Sequence, residues 1–109
     1  MSERVKGEGP LNAQLMIVGM GPEKEEMSVG RPFVGVSGRM LTTALQANGF
    51  SRDKCFITNI TEEYLHSGTS LYSMGRPKLD LCLARLRKEI ETIKPNCILA
   101  LGDEPLQLL

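Results

Sequence analysis

Three short apolar runs, each ending in a turn-forming or polar residue, decide most of what this chain can become. They are Gln14–Gly19, Cys55–Ile60 and Cys97–Gly102. Their apolar character is nearly continuous rather than alternating, which is the pattern of a strand covered on both faces. Two helical patterns lie between them. From Ser37 to Asn48, Leu41, Ala44 and Leu45 recur at helical spacing, and Gly49 supplies a C-terminal stop. From Lys78 to Ile93, Leu79, Cys82, Leu83, Leu86, Ile90 and Ile93 form one stripe with a period near ~3.6 residues. Arg85, Arg87, Lys88, Glu89 and Glu91 occupy the opposite face, and Pro95 closes the helix. Asp103 caps the start of a third helix, with Pro105 in its first turn. The order strand, helix, strand, helix, strand, helix predicts a parallel sheet with right-handed crossovers.

Length bounds the answer further, because 109 residues suffice for one domain, 1–109, and not for two. No apolar run is long enough to span a bilayer. The charged start Met1-Ser-Glu-Arg-Val-Lys argues against a signal peptide. Three widely spaced cysteines form no disulfide framework and fit a reducing, cytoplasmic setting. Thirteen basic and thirteen acidic residues cancel, which excludes a basic nucleic-acid-binding tail and a polybasic membrane anchor. The balance is uneven, however. Residues 31–60 carry Arg31, Arg39, Arg52 and Lys54 against Asp53 alone, a local positive centre that permits phosphate contacts. A three-stranded parallel sheet is thin, with a poorly covered edge. The chain therefore reads as a fragment, a natural truncation, or a piece whose sheet a protein partner completes.

Parallel sheets bind ligands at the carboxyl ends of their strands, which directs attention to the segments 19–38, 58–77 and 102 onward. The first holds five glycines, Gly19, Gly21, Gly30, Gly35 and Gly38, around a stiff Pro32-Phe33 pair and the carboxylates Glu23, Glu25 and Glu26. Its glycines fit neither a dinucleotide fingerprint nor a phosphate loop. An aromatic ring held beside backbone donors suits stacking of a flat heterocycle; Phe33 is equally readable as a core residue. Asn59, at the end of the second run, offers one acceptor and two donors to an amide-like edge, or else bonds its own backbone in a turn. His66, the single histidine, lies in a polar stretch and reads as solvated. No Cys or His pair has zinc-ligand spacing, and no Ser or Cys nucleophile has an identifiable base.

Taken in order, Gly7-Glu-Gly-Pro10, Ala13 before Leu15-Met-Ile-Val-Gly19, Gly30-Arg-Pro-Phe-Val-Gly35 with Ser37-Gly38, Ile57-Thr-Asn59, Cys82 and Leu101-Gly102 resemble the uracil-DNA glycosylase superfamily. They are most similar to the family 4, iron–sulfur type and its phage DNA-polymerase-associated relatives. The resemblance implies a three-layer α/β/α fold with a central parallel sheet, incomplete at its C-terminus. It implies binding of DNA, single-stranded or uracil-containing, and excision of a flipped uracil. Phe33 becomes the ring that stacks on the base and Asn59 the reader of its polar edge. The backbone at Met20 and Gly21 faces a uracil carbonyl, and Glu26 is the carboxylate that helps the hydrolytic water or the developing charge. Arg31 and Arg39 become DNA-backbone contacts. The departures are as informative. The family's Gly-Glu-Ala-Pro-Gly reads Gly19-Met-Gly-Pro-Glu23 here, and its Lys-Cys-Arg-Pro after the asparagine reads Glu62-Glu-Tyr-Leu65. Only Cys82 falls at a cluster-ligand position, so no iron–sulfur cluster and no other metal is expected. The family's late His-Pro-Ser motif has no counterpart. The alternative is a non-catalytic module that binds nucleic acid or assembles with a replication complex.

Overall fold

The structure is a computed structural model and describes residues 3–66 and 68–109. Three strands, β1 (Leu15–Gly19), β2 (Phe56–Asn59) and β3 (Cys97–Ala100), form one parallel sheet in the order β2-β1-β3. The register aligns Gly19 with Asn59 and Val18 with Ala100. Four α-helices accompany it: α1 (Lys24–Val29), α2 (Val36–Ala47), α3 (Arg76–Ile93) and α4 (Asp103–Leu108), with short 3-10 turns at Arg52–Lys54 and Leu71–Met74.

The near-continuous apolar runs are explained by two layers of helix. In a strand, successive side chains leave opposite faces. Met16 and Val18 of β1 and Phe56 of β2 enter one core, against Leu79, Leu83, Leu86 and Ile93 of α3. Ile17 and Ile57 enter the other, against Leu41 and Leu45 of α2. Met16, Ile17 and Val18 are all fully buried, so β1 has no solvent face to mark with polar residues. The arrangement is the three-layer α/β/α fold that the resemblance implies.

Several local readings are corrected. β3, read as covered on both faces, is exposed along most of its length: it pairs only with β1, and Ile98 and Leu99 retain 36% and 41% of their surface. Ala44, counted in the α2 stripe, faces solvent. The stop of α3 is Lys94 in the left-handed region, its N–H donating to the Ile90 carbonyl, rather than Pro95. Gly102, not Asp103, is the cap of α4. The segment 19–38, read as a loop, contains α1, which closes on Gly30 at φ +83°. Arg85 and Glu89, placed on the face opposite the apolar stripe, turn inward toward β2.

The larger core is the more demanding of the two. Leu86 retains 1% of its surface between α3 and the sheet. Truncating a leucine so placed costs about 2–5 kcal/mol, so Leu86→Ala should unfold at markedly lower urea concentration than wild type. A midpoint unchanged in a urea titration would contradict the packing described.

Candidate functional site

The carboxyl ends of β1 and β2 open into a cavity of about 400 Å³ whose lining includes Gly19, Met20, Gly21, Glu26, Phe33 and Asn59. Each wall has a local cause. Gly19 ends β1, where its carbonyl accepts from the Ile60 amide at 2.8 Å and the Met20 carbonyl accepts from Thr61 at 3.0 Å. Glycine is required there. A Cβ on residue 19 would overlap the Phe33 ring and lie 2.6 Å from Asn59 Oδ1. The ring tip and the amide thus converge on one point beside the strand end.

Asn59 is the last residue of β2 and is 3% exposed. Its backbone carbonyl accepts from Arg85 Nη2 at 2.6 Å. Its side-chain oxygen is shielded from water and has no hydrogen-bond partner among the described residues. It does not bond its own backbone in a turn. Phe33 packs partly against the α2-side core, so it is at once a core residue and a cavity wall. Its backbone has φ +53°, a region that bulky L-residues seldom adopt.

Glu26 is buried, at 8% exposure, on α1. Its Oε2 accepts from the amides of Gly35 at 2.7 Å and Val34 at 3.0 Å, and its Oε1 from Glu23 at 3.1 Å. Burial pulls its pKa upward, but the amides of Gly35, Glu23 and Val34 outweigh that and hold it below the ordinary carboxylate value. The capping carboxylate three residues into a helix was the one sequence signal for α1.

The cationic candidates fare differently. Arg31 makes a two-pronged contact with Glu8, at 3.0 and 2.7 Å. Arg39 stands exposed on α2. Arg52 turns away from solvent toward the carbonyls of Pro32 and Phe33. Arg85 reaches under β2 to the carbonyls of Asn59 and Ile60, its Nη1 also bonding Glu89 and Thr58 Oγ1. Burial raises the Glu89 pKa against the pull of Arg85. Sequence reasoning missed both arginines as internal clamps; Arg85 sits beside the apolar stripe of α3, and Arg52 carries no local signal. His66 is exposed beside Tyr64, as read.

The residues do not fit an iron–sulfur cluster. Cys82 packs against the α3-side core, Cys55 lies in the opposite core and Cys97 is exposed on β3. Glu63, standing where the family places a cysteine, pairs with Lys78 at 2.9 Å. Among the described residues no group of three or more His, Cys, Asp or Glu side chains is placed to hold a metal, and a single thiolate cannot hold a cluster. Nor, among those residues, is any helix long and apolar enough to cross a membrane.

A parallel sheet sandwiched by helices, with an aromatic ring and an amide side chain meeting in a cavity at its carboxyl end, is the frame of the site. Residues 6–109 match the model of the uracil DNA glycosylase superfamily, and the chain belongs to that superfamily. It is similar to the type-4 uracil-DNA glycosylase of Pyrobaculum aerophilum, 39% identical over 98 residues, covering 90% of this chain and 48% of that protein. For the type-4 enzyme of Thermotoga maritima the identity is 36% over 102 residues, covering 94% and 52%. For that of Archaeoglobus fulgidus it is 32% over 105 residues, covering 96% and 51%. The chain therefore spans about half the length of these curated relatives.

The Glu26 contacts fix a pH signature. Its lowered pKa means that its stabilisation is fully present above the unfolded value near ~4.3 and is lost as pH falls through the lower folded value. Thermal melts of wild type between pH 6 and 3 should fall more steeply than those of Glu26→Gln, which keeps Glu8 and Glu89 in common with it. Parallel acid limbs would show that the three amides do not hold an ionised carboxylate.

Proposed function

We propose that this chain is the base-recognition part of a uracil-DNA glycosylase. It binds DNA, single-stranded or uracil-bearing, and takes a flipped uracil between Phe33 and Asn59. The observation that carries this reading is the orphaned Asn59 Oδ1 at the point where the Phe33 ring tip arrives. A buried acceptor without a donor costs about 1–3 kcal/mol. The imide N–H of uracil is a donor on a planar ring, so one ligand both satisfies the amide and stacks on the aromatic face. Unstacking a base costs a few kcal/mol, which these two contacts offset.

In this reading the backbone at Met20 and Gly21 faces a carbonyl of the base, and Arg39 and Arg31 meet flanking phosphates, Arg31 by exchanging Glu8 for phosphate. Base excision, hydrolysis of the N-glycosidic bond, belongs to the chain in company with the further half that its relatives possess. Glu26 is then the cavity carboxylate nearest in kind to the one that assists water or the sugar cation. A second reading, a binding or assembly module without chemistry in the cytoplasm, is favoured by one observation: both carboxylate oxygens of Glu26 already accept from the amides of Glu23, Val34 and Gly35, while Met20 stands where the family has an acid.

Titration of uracil- and thymine-containing single-stranded oligonucleotides against wild type, Phe33→Ala and Asn59→Ala separates these from a merely structural pocket. Stacking on an aromatic ring is worth ~1–3 kcal/mol per base, so Phe33→Ala should weaken uracil-oligonucleotide binding by roughly 5- to 150-fold. Asn59→Ala should also weaken uracil-oligonucleotide binding, because it removes the acceptor for the imide N–H. Unchanged affinities in folded variants would overturn the reading. Alkali-labile cleavage at uracil, assayed on a gel, distinguishes enzyme from module; loss of a stabilising group usually costs ~10²–10³ in rate, and this chain is expected to cleave very slowly.

The same reading dispenses with a cluster. The purified chain should be colourless and free of iron by elemental analysis. Stoichiometric iron would overturn the placement of residues 61–77 against the family motif.

A further inference from the structure

We propose that Arg52 is the positioning residue of this site, fixing the Phe33 ring over Gly19 by holding the backbone carbonyls of Pro32 and Phe33. The functional part of this inference rests on the reading that the cavity receives a base.

The segment 32–35 is held by two opposite charges. From one side Arg52 donates Nη1 to the Phe33 carbonyl and Nη2 to the Pro32 carbonyl, both at 2.5 Å. From the other, Glu26 accepts the amides of Val34 and Gly35. One backbone group on each of four consecutive residues is thereby assigned to two side chains, carbonyls to the cation and amides to the anion. The residue at the switch is Phe33, at φ +53°. An L-residue in the left-handed region is sterically disfavoured and persists only where its surroundings fix it. The first turn of α2 seals the same spot, since a Cβ on Gly38 would collide with the Phe33 carbonyl.

Arg52 is poorly explained as a fold-holding residue alone. Its side chain is only 15% exposed, its Nε is buried with no partner among the described residues, and Glu8 lies 3.8 Å from Nη2 without a hydrogen bond between them. Burying a guanidinium with an orphaned N–H is costly. A planar fork that meets two adjacent carbonyls at once is what arginine supplies and lysine, a point donor, does not. Those two carbonyls set the plane from which the Phe33 side chain departs.

Arg52→Lys keeps the charge and loses the fork; Arg52→Met keeps the stem and loses both. Two readouts apply. The first needs no DNA: the Gly19 α-proton that lies where a Cβ would meet the Phe33 ring tip records the ring current in its resonance. In Arg52→Lys that resonance should move toward its position in Phe33→Ala. The second is affinity for a uracil-containing single-stranded oligonucleotide. Arg52→Lys should weaken it about as much as Phe33→Ala, and the double variant Arg52→Lys/Phe33→Ala should bind no more weakly than Phe33→Ala, because the two act through one ring. A wild-type Gly19 resonance in Arg52→Lys, even with a lowered melting temperature, would overturn the proposal, as would losses that multiply in the double variant. If the Gly19 resonance moves while Phe33→Ala leaves oligonucleotide affinity unchanged, ring positioning by Arg52 stands and the base-binding reading falls. Should Arg52→Met fail to fold, Arg52→Lys decides the matter.

Discussion

β1 has no free side. It is bonded along both edges, to β2 and to β3, and covered on both faces, by the α2 and α3 layers. Everything that makes the cavity is referred to this strand. Its last residue, Gly19, is the floor on which the ring and the amide meet, and its register with β2 brings Asn59 level with it. Fully burying one aliphatic side chain is worth about 1.5–3 kcal/mol. The residues Met16, Ile17 and Val18 therefore anchor the cavity more firmly than any contact within it.

A second theme is the use of charge against main chain. Glu26 takes three amides, Arg52 two carbonyls and Arg85 two more. Each of these charged groups is at least partly withdrawn from water, where hydrogen bonds to ionised groups contribute more than neutral ones. The carboxyl ends of parallel strands leave backbone groups that no neighbouring strand pairs. In this protein Arg85 of α3 ties down such groups at the end of β2, while Glu26 of α1 and Arg52 hold the loop 32–35 before α2. The zero net charge of the chain conceals this division of labour.

The sheet was legible because its signal is local: three apolar runs, each broken by a polar residue or glycine, with helical spacing between. The cavity residues Phe33 and Asn59 were legible as candidates because an aromatic among glycines and an asparagine at a strand end both depart from the surrounding pattern. Arg52 and Arg85 were not. A buried arginine and a solvated one look alike until the fold brings a carbonyl within reach, and the partners of Arg52 lie 19 and 20 residues away along the chain. α1 was hidden for another reason: six residues make too little periodicity to stand out, and its only mark was the spacing of Glu23 and Glu26. The exposure of β3 is a property of sheet order, which an apolar run such as Cys97–Ala100 does not encode.

The left-handed backbone of Phe33 changes when an entropic cost is met. A side chain immobilised on association loses about 0.5–1.5 kcal/mol of freedom. Here the ring already packs between Gly19 and the α2-side core, and its unfavourable dihedral falls on the folding reaction. A planar molecule entering the cavity would meet a wall arranged in advance, and the strain of that arrangement is borne by the folded state with or without a ligand.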